Sequence, residues 1–159
     1  MSEILPAAPA HLAVTDRLHV STSVLLARWL THRSPQQLRQ HLTRIARGAR
    51  PATYAEAAAA RDAVLTASAR TRGGSACLVR SVATALVCRA RGTWPTWCVG
   101  VLAAPPFAAH AWIEADDRIV EEPTSRTDFR TFFAVTAGGT GLEPDRPTGR
   151  STATTAGRR

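Results

Sequence analysis

The chain has 159 residues with no lysine, one methionine, one tyrosine, three cysteines and only 6% aromatics. Each scarcity excludes something. Three cysteines, Cys77, Cys88 and Cys98, are too few and too odd in number for a disulfide framework. They stand 11 and 10 positions apart, with no Cys-x-x-Cys or His-x-x-x-His nearby, which is not the spacing of a metal clip. Neither a metal nor an organic cofactor is expected, and a reducing cytoplasm suits the free thiols best. No stretch reaches the roughly 18 consecutive apolar residues that a membrane span requires. The start, MSEILPAAPAHLAV, lacks the basic-then-apolar order of a secretory signal. All 20 basic residues are arginine, and 30 residues are alanine. That bias resembles codon usage of a GC-rich genome, so the net charge of +8 and pI near 11.3 carry little functional weight. The arginines are scattered, no aromatic-interleaved basic patch occurs, and nucleic acid is not expected as a partner.

What is present supports one core. Apolar residues make up 45%, and the length suits a single domain. Residues 1–16 read as a flexible N-terminus. From residue 137 the sequence turns to Gly, Pro, Thr and Arg and reads as a disordered tail. The domain is therefore expected over 17–136. Residues 21–33 carry Val24, Leu25, Arg28 and Trp29 at helical spacing. Ser34-Pro35 opens a second helix, with Ser34 as cap and Leu38, Leu42, Ile45 and Ala46 as its apolar stripe. A third helix follows over 54–70, with Ala57, Ala60, Val64, Leu65 and Ser68 inward. After the Gly-rich break TRGGSA a fourth runs over 77–91. The period then changes to two. Trp97, Val99 and Val101 alternate with Cys98, Gly100 and Leu102, and further strands are expected at 108–115, 118–122 and 131–135. Helices first and an antiparallel meander after them make an α+β fold, a helical N-terminal part packed on a small antiparallel sheet.

The chemistry concentrates on Cys77, His110 and an acid at Glu121 or Glu122. Cys77 opens a helix after a glycine-rich turn. There the unpaired first-turn N–H groups and the helix dipole favour a thiolate, and the same N–H groups suit an oxyanion. A thiolate nucleophile needs an imidazole to move its proton and a third group to orient that imidazole. Strand parity puts Trp112 and Glu114 on the face of His110. If Asp116-Asp117 is a plain two-residue turn, Ala115 pairs with Arg118 and Glu121 falls on the histidine side. One bulged residue transfers that place to Glu122. Glu114 shares the face but lies so near in the strand that it points along rather than across. Cys88 and Cys98 read as small core residues. His11, His19, His32 and His41 read as surface residues, Trp94, Trp97 and Trp112 as core or groove wall, and the arginines of 39–50 as a solvated face.

The stretch over residues 77–123 resembles the transglutaminase-like leader peptidases of lasso-peptide biosynthesis, the microcin-processing maturation proteases. The resemblance rests on Cys77-Leu78 with Arg80-Ser81, Arg91-Gly92, Val99-Gly100-Val101, Pro106-Phe107 and Ala109-His110-Ala111-Trp112-x-Glu114. The helix ARPATYAEAAAARDAV before the cysteine also looks like the one those proteins place there, and the likeness covers about residues 20–136. It implies a papain-like fold with a Cys-His-Asp triad, in which Cys77 is the nucleophile and His110 the general base. The aspartate position falls on Glu122, a departure from the family pattern that leaves Glu121 as the alternative. The helical front end looks like the split form, with leader recognition supplied by a separate small protein. The substrate implied is a lasso precursor peptide, and an ATP-dependent lasso cyclase would take the product. Two rivals use the same residues differently: amide (acyl) transfer at the same thioester, and a non-catalytic scaffold of the maturation complex.

Overall fold

A computed structural model describes residues 12–105, 107–121, 128–139 and 141–142. Four helices precede the main sheet: α1 (Val14–Thr31), α2 (Pro35–Ala46), α3 (Tyr54–Ala67) and α4 (Cys77–Ala90). Local chemistry sets the boundaries of two of them. Ser34 and Thr53 each close a capping box at the start of α2 and α3, with Gln37 and Glu56 reaching back to the cap N–H. Gly48 and Gly92, both at positive φ, turn the chain after α2 and α4.

Two short strands, β1 (Arg50–Pro51) and β2 (Thr93–Trp94), pair in parallel beside α4. The main sheet holds β3 (Thr96–Leu102), β4 (Ala109–Ala115), β5 (Arg118–Ile119), β6 (Phe129–Val135) and β7 (Gly141–Leu142). Its order is β5-β4-β3-β6-β7, antiparallel throughout. The α+β class is therefore as read. The meander is not: β6 does not lie beside β5 but pairs with β3 on the far side, which puts β3 at the centre.

One sheet face packs on the helices. Trp97, Ile113, Ala115 and Val135 join Val20, Val24, Leu42, Val64, Val82 and Leu86 in the core. Much of that core is alanine, with Ala27, Ala46, Ala57, Ala60 and Ala83 at zero exposure. Side chains this small let helix axes approach closely, so dense packing replaces bulk. Indole hydrogen bonds tie the layers together. Trp97 Nε1 donates to Ser81 Oγ on α4 at 3.0 Å, and Trp94 Nε1 donates to the Val135 carbonyl at 3.1 Å. The opposite face carries a smaller cluster of Cys98, Trp112, Ile119, Ala134 and Phe129.

The structure moves several sequence-based boundaries. α1 starts at Val14, and its packed face is Val20, Val24, Ala27 and Leu30, while Leu25 and Trp29 point outward. α3 ends at Ala67, and residues 69–71 and 74–76 form short 3-10 turns that lead into α4. β5 stops at Ile119, because Glu121 takes a left-handed conformation that breaks the ladder. Past residue 137 the chain makes a turn at Ala137–Gly139 and pairs Gly141–Leu142 with β6. The rest of the tail, and residues 1–11, lie outside the described residues. No helix among the described residues is long and apolar enough to cross a membrane.

Candidate active site

Cys77 is the first residue of α4, and the N-cap before it, Ala76, offers no side-chain acceptor. The first-turn N–H groups of α4 are thus left to other acceptors, unlike those of the capped helices α2 and α3. Buried Arg80, one turn on, fixes the approach. Its Nη1 donates to the carbonyls of Thr71 and Gly73, at 2.9 and 3.3 Å. That clamps the Gly-rich segment against the helix it feeds and brings a cation near the sulfur.

His110 reaches Cys77 from β4. The hairpin register explains how. Val120 N–H donates to the Ile113 carbonyl at 3.0 Å, so the main-chain groups of Ile113 face the outer side of β4. By the two-residue repeat, those of Ala111 face the same way. β5 pairs only with Glu114 and Ala115, which leaves the start of β4 as an edge without an outer strand among the described residues. Cys77 sits along that edge. Its sulfur is hydrogen-bonded by the His110 side chain and by the Ala111 backbone N–H. Partial burial pushes the thiol pKa up. The His110 hydrogen bond, the Ala111 N–H and the charges of His110 and Arg80 act in the other direction, and they prevail, so the thiol lies below its ordinary value.

The imidazole rests against an aromatic shelf on the outer face of the sheet. Its centroid lies 5.2 Å from Phe129 at an interplanar angle of 16°, and 6.0 Å from Trp112 at 11°. Trp112 and Phe129 stack on each other at 4.8 Å. Trp112 Nε1 donates to Glu114 Oε1 at 2.9 Å, and both residues are buried. Glu114 thus points along its strand, as its position suggested.

The proposed third member is another matter. Asp116 and Asp117 both have positive φ and form a plain two-residue turn, with Ala115 opposite Arg118. This is the unbulged register, which parity assigns to Glu121. The left-handed backbone at Glu121 nevertheless carries its side chain off that path. Glu121 Oε1 accepts from the Tyr54 hydroxyl at 3.1 Å, and its carbonyl accepts from Arg61 at 2.9 Å. Glu121 therefore ties the segment after β5 to α3 through Tyr54 and Arg61. Glu122 lies outside the described residues. Sequence reasoning missed the roles of Arg80, Phe129 and Glu114 in shaping the site. Arg80 and Glu114 both stand in the motif pieces that carry the resemblance, and parity put Glu114 on the histidine face; nothing singled out Phe129.

Of the other cysteines, burial pushes Cys88 up to about 12, and Cys98 is buried on the outer sheet face. His19 and His32 are exposed on the helical half, and His41 Nδ1 lies 2.6 Å from the Gln37 carbonyl. His11 lies outside the described residues. No group of three or more His, Cys, Asp or Glu among the described residues could hold a metal ion. Beside the turn that leads into Cys77 a cavity of about 230 Å³ is bounded by Val24, Arg28, His32, Arg70, Ala76 and Val79.

A helix-start cysteine bonded to a strand histidine is an arrangement suited to thiol chemistry, and the family comparison says which superfamily carries it here. The model of the transglutaminase-like superfamily matches residues 20–134. The chain belongs to the transglutaminase-like superfamily. Its members generally include cysteine proteases and transglutaminases, so peptide cleavage and acyl transfer are both compatible with the domain. No curated protein and no solved structure matches the chain.

Proposed function

We propose that this transglutaminase-like domain is a cysteine peptidase that removes the leader from a ribosomally made lasso precursor peptide. The observation that carries the reading is the bond between Cys77, at the uncapped start of α4, and His110, with the thiol held below its ordinary pKa. The leader specificity rests on the resemblance of residues 77–123.

In this reading the Cys77 thiolate attacks the scissile carbonyl, and the first-turn N–H groups of α4 receive the oxyanion. The His110 imidazolium then protonates the departing amine, which becomes the new amino terminus of the core peptide. A thioester to the leader remains. Water attacks it, His110 accepts the proton of that water, and the carboxyl-terminated leader leaves as the thiol is regenerated. Glu122 is proposed as the orienter of His110 on the resemblance, whose aspartate position it fills, while Glu121 is engaged by Tyr54. A separate small protein would hold the leader and raise its effective concentration at Cys77. The core would pass to an ATP-dependent cyclase, and the free thiols suit a cytoplasmic location.

The test is cleavage of a lasso precursor peptide, with and without a small leader-recognition protein, read by mass spectrometry. Cleavage at one bond that disappears in Cys77→Ala supports the peptidase. A product carrying an amine in place of the added water supports acyl transfer, the second activity that the superfamily allows. Unchanged maturation with Cys77→Ala would point to a scaffold.

A further inference from the structure

The proposed machinery uses Cys77 and His110, and it leaves one buried acid on the same sheet face without a task. Glu114 is 7% exposed and accepts the Trp112 indole N–H at 2.9 Å. Trp112, 2% exposed, is the middle of the outer-face cluster and stacks on Phe129 at 4.8 Å. Both rings lie nearly parallel to the His110 imidazole, at 11° and 16°. His110, Trp112 and Glu114 are alternate residues of one strand, so the line of contact runs along β4 from the buried acid to the reacting base.

We infer that Glu114 is a positioning residue, whose hydrogen bond to Trp112 fixes the aromatic shelf that aims His110 at Cys77. An indole has one donor, and a carboxylate acceptor for it gives a strong, directional bond. That bond sets the rotation of a ring which stacking alone leaves free to slide, since offset-stacked geometries of similar energy cover several ångströms. His110 lies at the start of β4, on an edge without an outer strand among the described residues, so its ring depends on side-chain neighbours for its orientation. The role assigned to Glu114 is exerted through Trp112, which makes it a positioning residue and not a catalytic one.

This inference builds on the Cys77–His110 pair of the proposed function, but its test needs no peptide substrate. The probe is iodoacetamide, and the readout is the rate of Cys77 alkylation against pH, with site occupancy read by peptide mass spectrometry. The charged groups that act on Cys77 are His110 on β4 and Arg80 on α4, and neither is changed in the variants. Trp112→Phe keeps a stacking ring but loses the donor. Glu114→Ala loses the acceptor. In both, the alkylation profile moves toward that of an ordinary cysteine, and reactivity near pH 6 falls about tenfold for each unit moved. Glu114→Gln keeps an acceptor oxygen and retains most of the low-pH reactivity. A Trp112→Phe protein that melts cooperatively and shows the wild-type profile overturns the inference. Because Trp112→Phe alone decides it, failure of Glu114→Ala to fold would leave the test intact. If wild-type Cys77 itself reacts like an ordinary cysteine, the Cys77–His110 pairing fails first, and the proposed peptidase with it.

Discussion

Gly100 lies directly opposite His110 across the β3–β4 ladder, and the space a side chain would need there is filled by the main chain of β6. A Cβ on Gly100 would stand 2.1 Å from the Arg130 carbonyl oxygen and 2.9 Å from its carbon. The β3–β6 register shifts between Val99 and Gly100, and this bulge brings the β6 backbone in. Phe129, which faces His110, sits one residue before Arg130 on the same strand.

Gly100→Ala is accordingly expected to push β6 outward at the bulge. The clash is with backbone, which cannot turn aside, so a loss of about 1–3 kcal/mol is expected. Thermal melting should show it, and Cys77 alkylation near neutral pH should slow in parallel as Phe129 leaves the imidazole.

Arg80→Met removes the donor that joins α4 to the carbonyls of Thr71 and Gly73. Two acceptors then lose a charged partner, each a cost of about 1–3 kcal/mol where water cannot replace it. The variant should melt lower. It should also show faster proteolysis within 71–76 and a slower Cys77 reaction, since both the clamp and a nearby cation are gone.

Cys88 should be inert in the native protein. Burial pushes its thiol up to about 12, so almost no thiolate exists at neutral pH. Intact mass after alkylation at about pH 7 should therefore show no adduct on Cys88, and one should appear only in denaturant.

The Arg50–Glu56 pair gives a pH prediction of defined sign. Glu56 accepts from Arg50 Nη1 at 3.1 Å and from the Thr53 N–H at 2.9 Å, which lowers its carboxyl to about 2 from an ordinary 4.5. A depressed folded-state value means stabilisation that is present above about 4.5 and lost as pH falls through about 2. Glu56→Gln should melt slightly below wild type at neutral pH, and the gap should close by about pH 2. The pair is exposed, so the effect is small.

Much of this site was legible before the fold was known. The Gly-rich turn before Cys77 and the change of period after Gly92 located the helix start and the strands, because caps and alternation are local signals. Glu114 was placed correctly by parity for the same reason. Two readings depended on information that is not local. On α1, helical spacing alone offers Val24, Leu25, Arg28 and Trp29 together. Packing against the other helices buries Val24 with Val20, Ala27 and Leu30, and leaves Leu25 and Trp29 outward. The register at Asp116-Asp117 was open in the sequence; the unbulged turn that forms puts Glu121, and not Glu122, on the histidine side by parity. A single left-handed residue then redirected its side chain to Tyr54, sixty-seven positions earlier. Strand counting has no access to that partner.

The proposed chemistry stands on His110 making Cys77 a thiolate nucleophile. The most direct test is iodoacetamide alkylation at about pH 6, comparing wild type with His110→Ala and mapping the modified cysteine by mass spectrometry. Rapid single modification at Cys77 is expected in wild type, with a fall of roughly tenfold or more in His110→Ala as the histidine's hydrogen bond and charge are lost. Equal rates in the two folded proteins, or a wild-type Cys77 as slow as a free cysteine, would contradict it.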